Sequence, residues 1–593
     1  MDNNSVVIKV CSGTGSISAG GAEVLHAFRE LVLSSDLEAS FQDRCRADKV
    51  GCRGFCARDV LVDVVIDGEK TTYERVKSDM VPRIFEEHIL GGSPVQEWTA
   101  DELHQSFQDN QKKVVLAHCG EIDPEDLDAY LNVKGYEAAR NAFNDMQPVE
   151  IIEKIKRSKL RGRGGAGFST GHKWEFAYKV DEKEKYVVCN GNESDPGAFA
   201  DRCIMEGDPH AVIEGMMICA RAIGAGKGYI YIRDGYSLAV KRLRLALKQC
   251  HERGFLGKNI FESGQDLDIR LYPAPGAFIC GEATALVQSI EGKRAMPTPR
   301  LTRTSENGIR GKPTVINNAE TLANVPKILR NGASWFAGLG TDTSGGTKVF
   351  SLTGKVKSNG LVEVPMGATL RDVVYKVGGG IDQDRAFKGI QLGGPTGGCV
   401  PESCLDSRVD YESLAVAGTI MGSGGMVVLD ETNCIVDTAK FFLDITQAES
   451  CGKCTPCRIG MRRMYEILER ITSGNGRDGD VELLEDLGSH IRTTSLCGFG
   501  MTAPNPVLST VRFFRDEYNI HIRDRKCPAL VCKSLLTFSC IEETCTGCGM
   551  CKRVCPADAI RGTRKKPHFI DQELCVKCGS CFDSCKFGAI LKE

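Results

Sequence analysis

The chain has 593 residues, a formal net charge of −3 and 28 cysteines. That length predicts several domains, each able to bury its own core. The near-neutral balance gives no reason to expect nucleic acid or an anionic membrane surface as partner. No apolar run reaches the ~18 residues that span a bilayer, and Met1-Asp2-Asn3-Asn4-Ser5 lacks the basic and apolar regions of a secretory signal. The expected setting is an oxygen-poor cytoplasm. There, cysteines clustered as C-x-x-C runs read as metal thiolates rather than disulfides.

Residues 1–91 begin with a strand, Val6 to Val10, that ends in Cys11-Ser12-Gly13-Thr14-Gly15-Ser16. A helix from Gly21 to Ser34 follows, then Cys52-Arg53-Gly54-Phe55-Cys56 and a strand from Val60 to Ile66. Cysteines at the turns of a strand–helix–strand unit resemble the thioredoxin-like [2Fe-2S] domain, with its C-x4-C…C-x3-C pattern. The resemblance implies a two-iron cluster on Cys11, Cys52 and Cys56, with Ser16 at the fourth position. Serine is a harder donor than thiolate and less favoured by iron; Cys45 is the alternative ligand, and a docking domain without a cluster is the other reading. Residues 92–148 read as a linker and helical lead-in, with Asp123-Pro124-Glu125-Asp126 as a helix start and one helix continuing from Asp128 to Ala142.

The segment 149–335 opens with a helix, apolar at Ile151, Ile152, Ile155 and Leu160, before the loop Gly162-Arg163-Gly164-Gly165-Ala166-Gly167-Phe168. A Rossmann turn needs a strand there, so this G-x-G-x-x-G is not one. A glycine loop between helices still offers backbone N–H groups to a phosphate, because no Cβ blocks the approach. Strands and helices then alternate: strand Lys185 to Cys189, helix 208–223, strand Gly228 to Arg233, helix Leu238 to Glu252, strand Asp268 to Leu271. This is an α/β pattern. Four stretches stand out: the glycine loop, Asn190-Gly191-Asn192-Glu193-Ser194-Asp195, Cys280-Gly281-Glu282-Ala283-Thr284, and Asn317-Asn318.

Together these stretches resemble the flavin- and NADH-binding (51 kDa-type) subunit of respiratory complex I and its relatives in soluble hydrogenases and formate dehydrogenases. The resemblance implies that Gly162, Arg163, Gly164, Gly165, Gly167 and Lys173 hold the FMN phosphate. It implies flavin contacts from Asn190, Asn192, Glu193, Ser194, Gly281, Glu282, Asn317 and Asn318. Phe168 and Phe176 would stack on the nicotinamide nucleotide, with Asp195, Ala283 and Arg303 completing its site. Several positions depart from the family: Asn192 for aspartate, Asp195 for glutamate, Ala283 for a second glutamate, Phe278 for tyrosine and Arg303 for phenylalanine. Losing a carboxylate and gaining an arginine suits a 2′-phosphate, hence NADP(H). It suits equally a site that keeps flavin and has lost its nucleotide.

Residues 345–430 resemble the ubiquitin-like SLBB β-grasp module of the same family, expected here in a spacer and packing role. In 431–510, Cys451, Cys454 and Cys457 with the remote Cys497 have the C-x2-C-x2-C spacing of a [4Fe-4S] cluster. In the 511–540 hinge, His521, Cys527 and Cys532 form an incomplete tetrahedral set that Cys434 would complete for zinc, as in electron-bifurcating relatives. Residues 541–593 repeat the bacterial ferredoxin run C-x2-C-x2-C-x3-C, in which the fourth cysteine serves the other cluster. Cys545, Cys548, Cys551 and Cys585 then hold one cube, and Cys575, Cys578, Cys581 and Cys555 the other.

The expected architecture is thus multidomain α/β plus α+β, with thioredoxin-like, FMN-binding, SLBB, helical [4Fe-4S] and 2[4Fe-4S] ferredoxin domains. The resemblance implies an oxidoreductase subunit carrying electrons from NAD(H) or NADP(H) through FMN to three [4Fe-4S] clusters. Expected partners are a small [2Fe-2S] subunit, a separate catalytic subunit and ferredoxin. The alternative is a flavin and iron–sulfur relay in an anaerobic acyl-CoA or ring-reducing complex, with no working nucleotide site. His118, His210 and His251 have no ligand-spaced neighbours and read as structural.

Overall fold

A computed structural model describes residues 5–34, 39–299 and 301–593; Met1–Asn4 lie outside the described residues. The chain forms two compact units. One runs through Asp384 and adds Ile390–Gly397 and Glu402–Val428; the other comprises Arg385–Gly389, Gly398–Pro401 and Leu429–Glu593.

The first unit starts with a four-stranded sheet of β1 (Val6–Cys11), β2 (Cys45–Val50), β3 (Val62–Ile66) and β4 (Glu69–Tyr73), in the order β2-β1-β3-β4. The β1–β2 pair is parallel, and β1–β3 and β3–β4 are antiparallel. Val24, Phe28 and Val32 of the helix Gly21–Val32 pack into the core of this sheet. Strands β2 and β4 carry too many charged residues (CRADKV and EKTTY) to read as strands from periodicity; their outer faces are solvated.

The single helix expected from Asp128 to Ala142 is two, Leu127–Asn132 and Glu137–Asn144. Lys134 and Tyr136 adopt left-handed φ values of 65° and 60°. A Cβ at Gly135 would lie 2.1 Å from the Tyr130 ring. Tertiary bonds fix the break: Tyr130 donates to Glu214 at 2.6 Å and the Tyr136 hydroxyl meets His210 at 2.8 Å.

A second sheet is wholly parallel: β5 (Tyr186–Gly191), β6 (Lys227–Arg233), β7 (Asp268–Ala274) and β8 (Thr314–Asn318), in the order β7-β6-β5-β8. Parallel sheets need both faces covered. The helix Pro209–Ile223, buried at all but one position, supplies part of that cover. From β5 the chain moves outward through β6 and β7, then returns to the other side of β5 as β8. The β5/β8 junction is therefore a topological switch point, where a crevice opens at the strands' carboxyl ends. Beyond it, Thr347–Gly354 pairs antiparallel with Gly360–Pro365 and parallel with residues 425–428.

In the second unit, helices Ile435–Ala448, Met461–Thr472, Asp480–Thr494 and Asn505–Asn519 precede two short antiparallel ladders, Phe538–Cys540 with Ile590–Lys592 and Ile560–Arg561 with Phe569–Ile570. Among the described residues, no helix is long and apolar enough to cross a membrane.

Candidate cofactor sites

Register places the flavin-site asparagines at the switch point. Cys189 pairs with Asn317 and Asn190 with Asn318, so these amides end adjacent strands. Asn190 donates to the Gly281 carbonyl at 2.9 Å, and Asn192 to Ser194 Oγ and the Ala277 carbonyl, both at 3.1 Å. Trp174 Nε1 donates to Asn317 Oδ1 at 2.9 Å. Two amide atoms are left over: Asn192 Oδ1 and Asn317 Nδ2 are buried without a hydrogen-bond partner. Orphaned polar atoms of this kind cost free energy unless a ligand satisfies them. A flavin ring, with both N–H donors and carbonyl acceptors, fits an acceptor and a donor at neighbouring strand ends.

The glycine loop joins the helices Pro148–Arg157 and Thr170–Lys179. A Cβ at Gly164 would lie 2.9 Å from Asn318 Cβ, and Gly165 and Gly167 have positive φ. The loop thus rests on a flavin-site asparagine through an approach that only glycine permits. Lys173 Nζ donates to the Ile316 carbonyl at 2.9 Å, at the end of β8. The Arg163 side chain is engaged within the protein. Its guanidinium is fully buried and donates to the carbonyls of Gly345 (2.6 Å), Thr347 (3.0 Å) and Arg161 (3.2 Å). It braces the loop from behind.

Glu193 and Glu282 act as helix caps. Glu193 accepts from the N–H groups of Asp201 (3.1 Å) and Arg202 (3.0 Å), and Glu282 from those of Thr284 (2.9 Å) and Ala285 (3.0 Å). Ala283 is therefore the first residue of the helix Ala283–Ile290. Asp195 is buried, and burial raises its pKa to about 7 although Ser423 donates to it at 2.9 Å; Glu193 adds to the rise. Its Oδ1 also has no partner.

At the nucleotide end, the Phe168 and Phe176 rings are 6.3 Å apart and tilted by 38°. A planar ring held between two others needs about 7 Å, so this pair must part slightly to receive one. Arg303 lies 4.2 Å over the Phe176 ring, a cation–π contact.

Residues 345–430 pack on the flavin-domain loops. Tyr411 donates to the Gly162 carbonyl at 2.7 Å and carries the Arg161 guanidinium 4.2 Å over its ring. A Cβ on Gly394 would fall 2.0 Å from the Asp195 carboxylate. The Gly393-Gly394-Pro395-Thr396-Gly397-Gly398 run was the available signal for this close approach.

In the second unit, Cys457 has Cys454, Cys497 and Cys451 as electrostatic neighbours; burial, then these thiols, push its pKa up. Burial likewise raises Cys551, whose neighbours are Cys545, Cys548 and Cys585. An apolar cavity is lined by Cys555, Cys575, Cys578 and Cys581 together with Phe538, Ile560 and Ile570. The cysteines thus gather in the crossed groups that ferredoxin spacing implies. Cys434, His521, Cys527 and Cys532 are all buried, with ligand atoms within 4.8 Å of one another. His521 Nδ1 is bound to the Glu517 carbonyl at 2.8 Å, which fixes the tautomer and leaves Nε2 toward Cys434 (3.3 Å) and Cys532 (3.5 Å). The Cys434, Cys527 and Cys532 side chains are in mutual contact. The isolated histidines are structural: His118 is paired with Asp208 at 2.8 Å, His210 is buried, and His251 lies at the surface near Asp268.

Residues 155–327 match the Nuo51 FMN-binding domain, 349–400 the SLBB domain, 437–521 the NADH-ubiquinone oxidoreductase-F iron–sulfur binding region, and 544–590 a 4Fe-4S dicluster domain. The NADP-reducing hydrogenase subunit HndC of Solidesulfovibrio fructosivorans is 52% identical over 483 residues, 82% of this chain and 98% of that protein. The chain belongs to the F-subunit family of NADH-quinone oxidoreductases and their hydrogenase relatives. A further member, one of the F-type NADH-quinone oxidoreductase subunits of Rhizobium meliloti, is 43% identical over 70% of this chain and 99% of its own length. Among solved structures, an NAD+-reducing [NiFe]-hydrogenase in the H2-reduced state aligns with a TM-score of 0.62 and 28% identity, covering 87% of this chain and 84% of that one. As a member of the F-subunit family, the chain is an oxidoreductase subunit with an FMN-binding domain and iron–sulfur-binding regions.

Proposed function

We propose that this subunit moves electrons between NAD(P)H and one-electron carriers, within a cytoplasmic complex that includes a small [2Fe-2S] subunit and a separate catalytic subunit. The observation that carries the reading is the pair of orphaned amides at the β5/β8 switch point, beside a glycine loop packed on Asn318. Bound FMN would supply the conversion of a hydride pair into single electrons. The chain's own residues do the rest. Backbone N–H groups of Gly164–Gly167 and Lys173 would bind the phosphate, while the Gly162 and Arg163 N–H groups close the loop on the Phe168 carbonyl and Thr321; Asn192 and Asn317 would orient the ring, and Phe168 and Phe176 hold the nucleotide. Three [4Fe-4S] clusters would occupy the grouped cysteines, zinc the Cys434–His521–Cys527–Cys532 set, and a two-iron cluster the N-terminal module. Ferredoxin is the expected external carrier for the C-terminal pair.

Arg303 over Phe176 adds a positive charge at the nucleotide end, while Ala283 removes a negative one. Both changes favour NADP(H), in keeping with the named role of the hydrogenase relative. The relatives do not favour the relay without a nucleotide site. Anaerobic titration of the FMN-loaded chain tests the choice: NADPH should bleach the flavin absorbance at lower concentration than NADH. No bleaching by either would overturn the proposal.

A further inference from the structure

The N-terminal two-iron site lacks a fourth thiolate by spacing, and the fold brings one from elsewhere. Cys52 and Cys56 Sγ are 3.7 Å apart, and the buried Cys11 thiol, whose Sγ donates to the Gly51 carbonyl at 3.8 Å, neighbours Cys52. On the other side of Cys52 lies Cys203, in the helix Ala200–Gly207 of the flavin domain. Cys203 belongs to the same buried core cluster as Cys52, with Cys56 packed against that cluster, and Cys52 and Cys56 are its nearest charged-form neighbours. Cys203 is buried.

The module is held against this helix by specific contacts. Thr14 donates its N–H (3.0 Å) and hydroxyl (2.6 Å) to the two oxygens of Glu206, and Arg242 donates to the Ser12 carbonyl and hydroxyl, both at 2.9 Å. A Cβ on Gly51 would lie 2.6 Å from Gly207 Cα. Only two facing glycines let the loop before Cys52 come this near to the helix that carries Cys203.

Ser16 is the weaker ligand because its oxygen is a harder donor than thiolate and less favoured by iron, although its buried Oγ has no hydrogen-bond partner.

Resting on the reading of the N-terminal module as a two-iron domain, we propose that Cys203 is the fourth ligand, so that Cys11, Cys52, Cys56 and Cys203 hold a [2Fe-2S] cluster shared between module and flavin domain. Glu193, from the flavin-site loop, caps the very helix that carries Cys203. Cluster and flavin site would share one rigid element.

The test uses the full chain, purified anaerobically, with Cys11→Ala, Cys203→Ala, Ser16→Ala and the double variant Cys203→Ala/Ser16→Cys. Iron content and low-temperature EPR of the reduced protein are read, with FMN content and the cube signals as controls for folding. Cys11→Ala and Cys203→Ala should each lose about two irons and the two-iron signal. Ser16→Ala should keep both, and the double variant should regain them. Loss on Ser16→Ala with retention on Cys203→Ala would assign the ligand to Ser16 and overturn the proposal. A wild-type chain without the two-iron signal would instead sink the reading of the module itself. A Cys52–Cys203 disulfide in the anaerobic protein would also contradict shared ligation.

Discussion

The flavin half and the sulfur half solve cofactor binding in opposite ways. At the β5/β8 switch point many weak contacts converge from distant segments: a loop glycine on Asn318, a buried amide donor, a buried amide acceptor. In the second unit each site is a handful of thiols brought together by loops and helix ends. Distributed contacts should lose affinity in steps when one is altered. A four-thiolate site should lose its whole cofactor with a single ligand.

The largest expected effect breaks the sulfur side. Cys555→Ala should remove one cube, about four irons per chain, while FMN content is unchanged, as iron analysis and flavin fluorescence would show. A loss of FMN as well would mean the two halves are not independent. Next, Cys532→Ala should abolish the single non-iron metal found by elemental analysis, because three ligands bind zinc much less well than four. Gly164→Val tests the distributed side. Its new Cβ meets Asn318 at 2.9 Å, and overpacking on this scale should weaken FMN binding by about 10- to 100-fold without loss of iron. Arg303→Ala should raise KM for NADPH by about tenfold and leave NADH within about twofold, since an exposed arginine–phosphate contact is of modest strength.

A separate effect, on stability rather than on cofactor or nucleotide binding, concerns pH. Burial raises the Asp195 pKa to about 7, well above its unfolded value near 3.8. The native state therefore binds more protons than the unfolded state between those values, and this residue makes stability fall as pH rises through them. Asp195→Asn should remove that dependence. In denaturant titrations, the variant should gain on wild type by up to about 1.4 kcal/mol per pH unit between about pH 4 and 7.

The two halves also differ in how far they can be read from sequence. Thiol runs such as Cys451 to Cys457 show their chemistry at short range, because the ligands are neighbours in the chain. Asn190 and Asn318 become a site only when β5 and β8 pair, and periodicity says nothing of which strands are adjacent. Tyr411 and Ser423 reach the flavin segment from a module that reads as a spacer and packing element. Cys203 lies in a helix buried at nearly every position, so its pattern is that of core. The break at Gly135 was hidden likewise, since Tyr130 and Tyr136 are fixed by Glu214 and His210 rather than by local propensity.

Rapid mixing of the anaerobic chain with NADPH, followed by flavin absorbance and freeze-quenched EPR, tests the central claim most directly. The account predicts bound FMN, about twelve or more irons per chain from the cubes, flavin bleaching first and cube signals after it. A protein that carries no FMN, or whose cubes stay oxidised once the flavin is bleached, would contradict it.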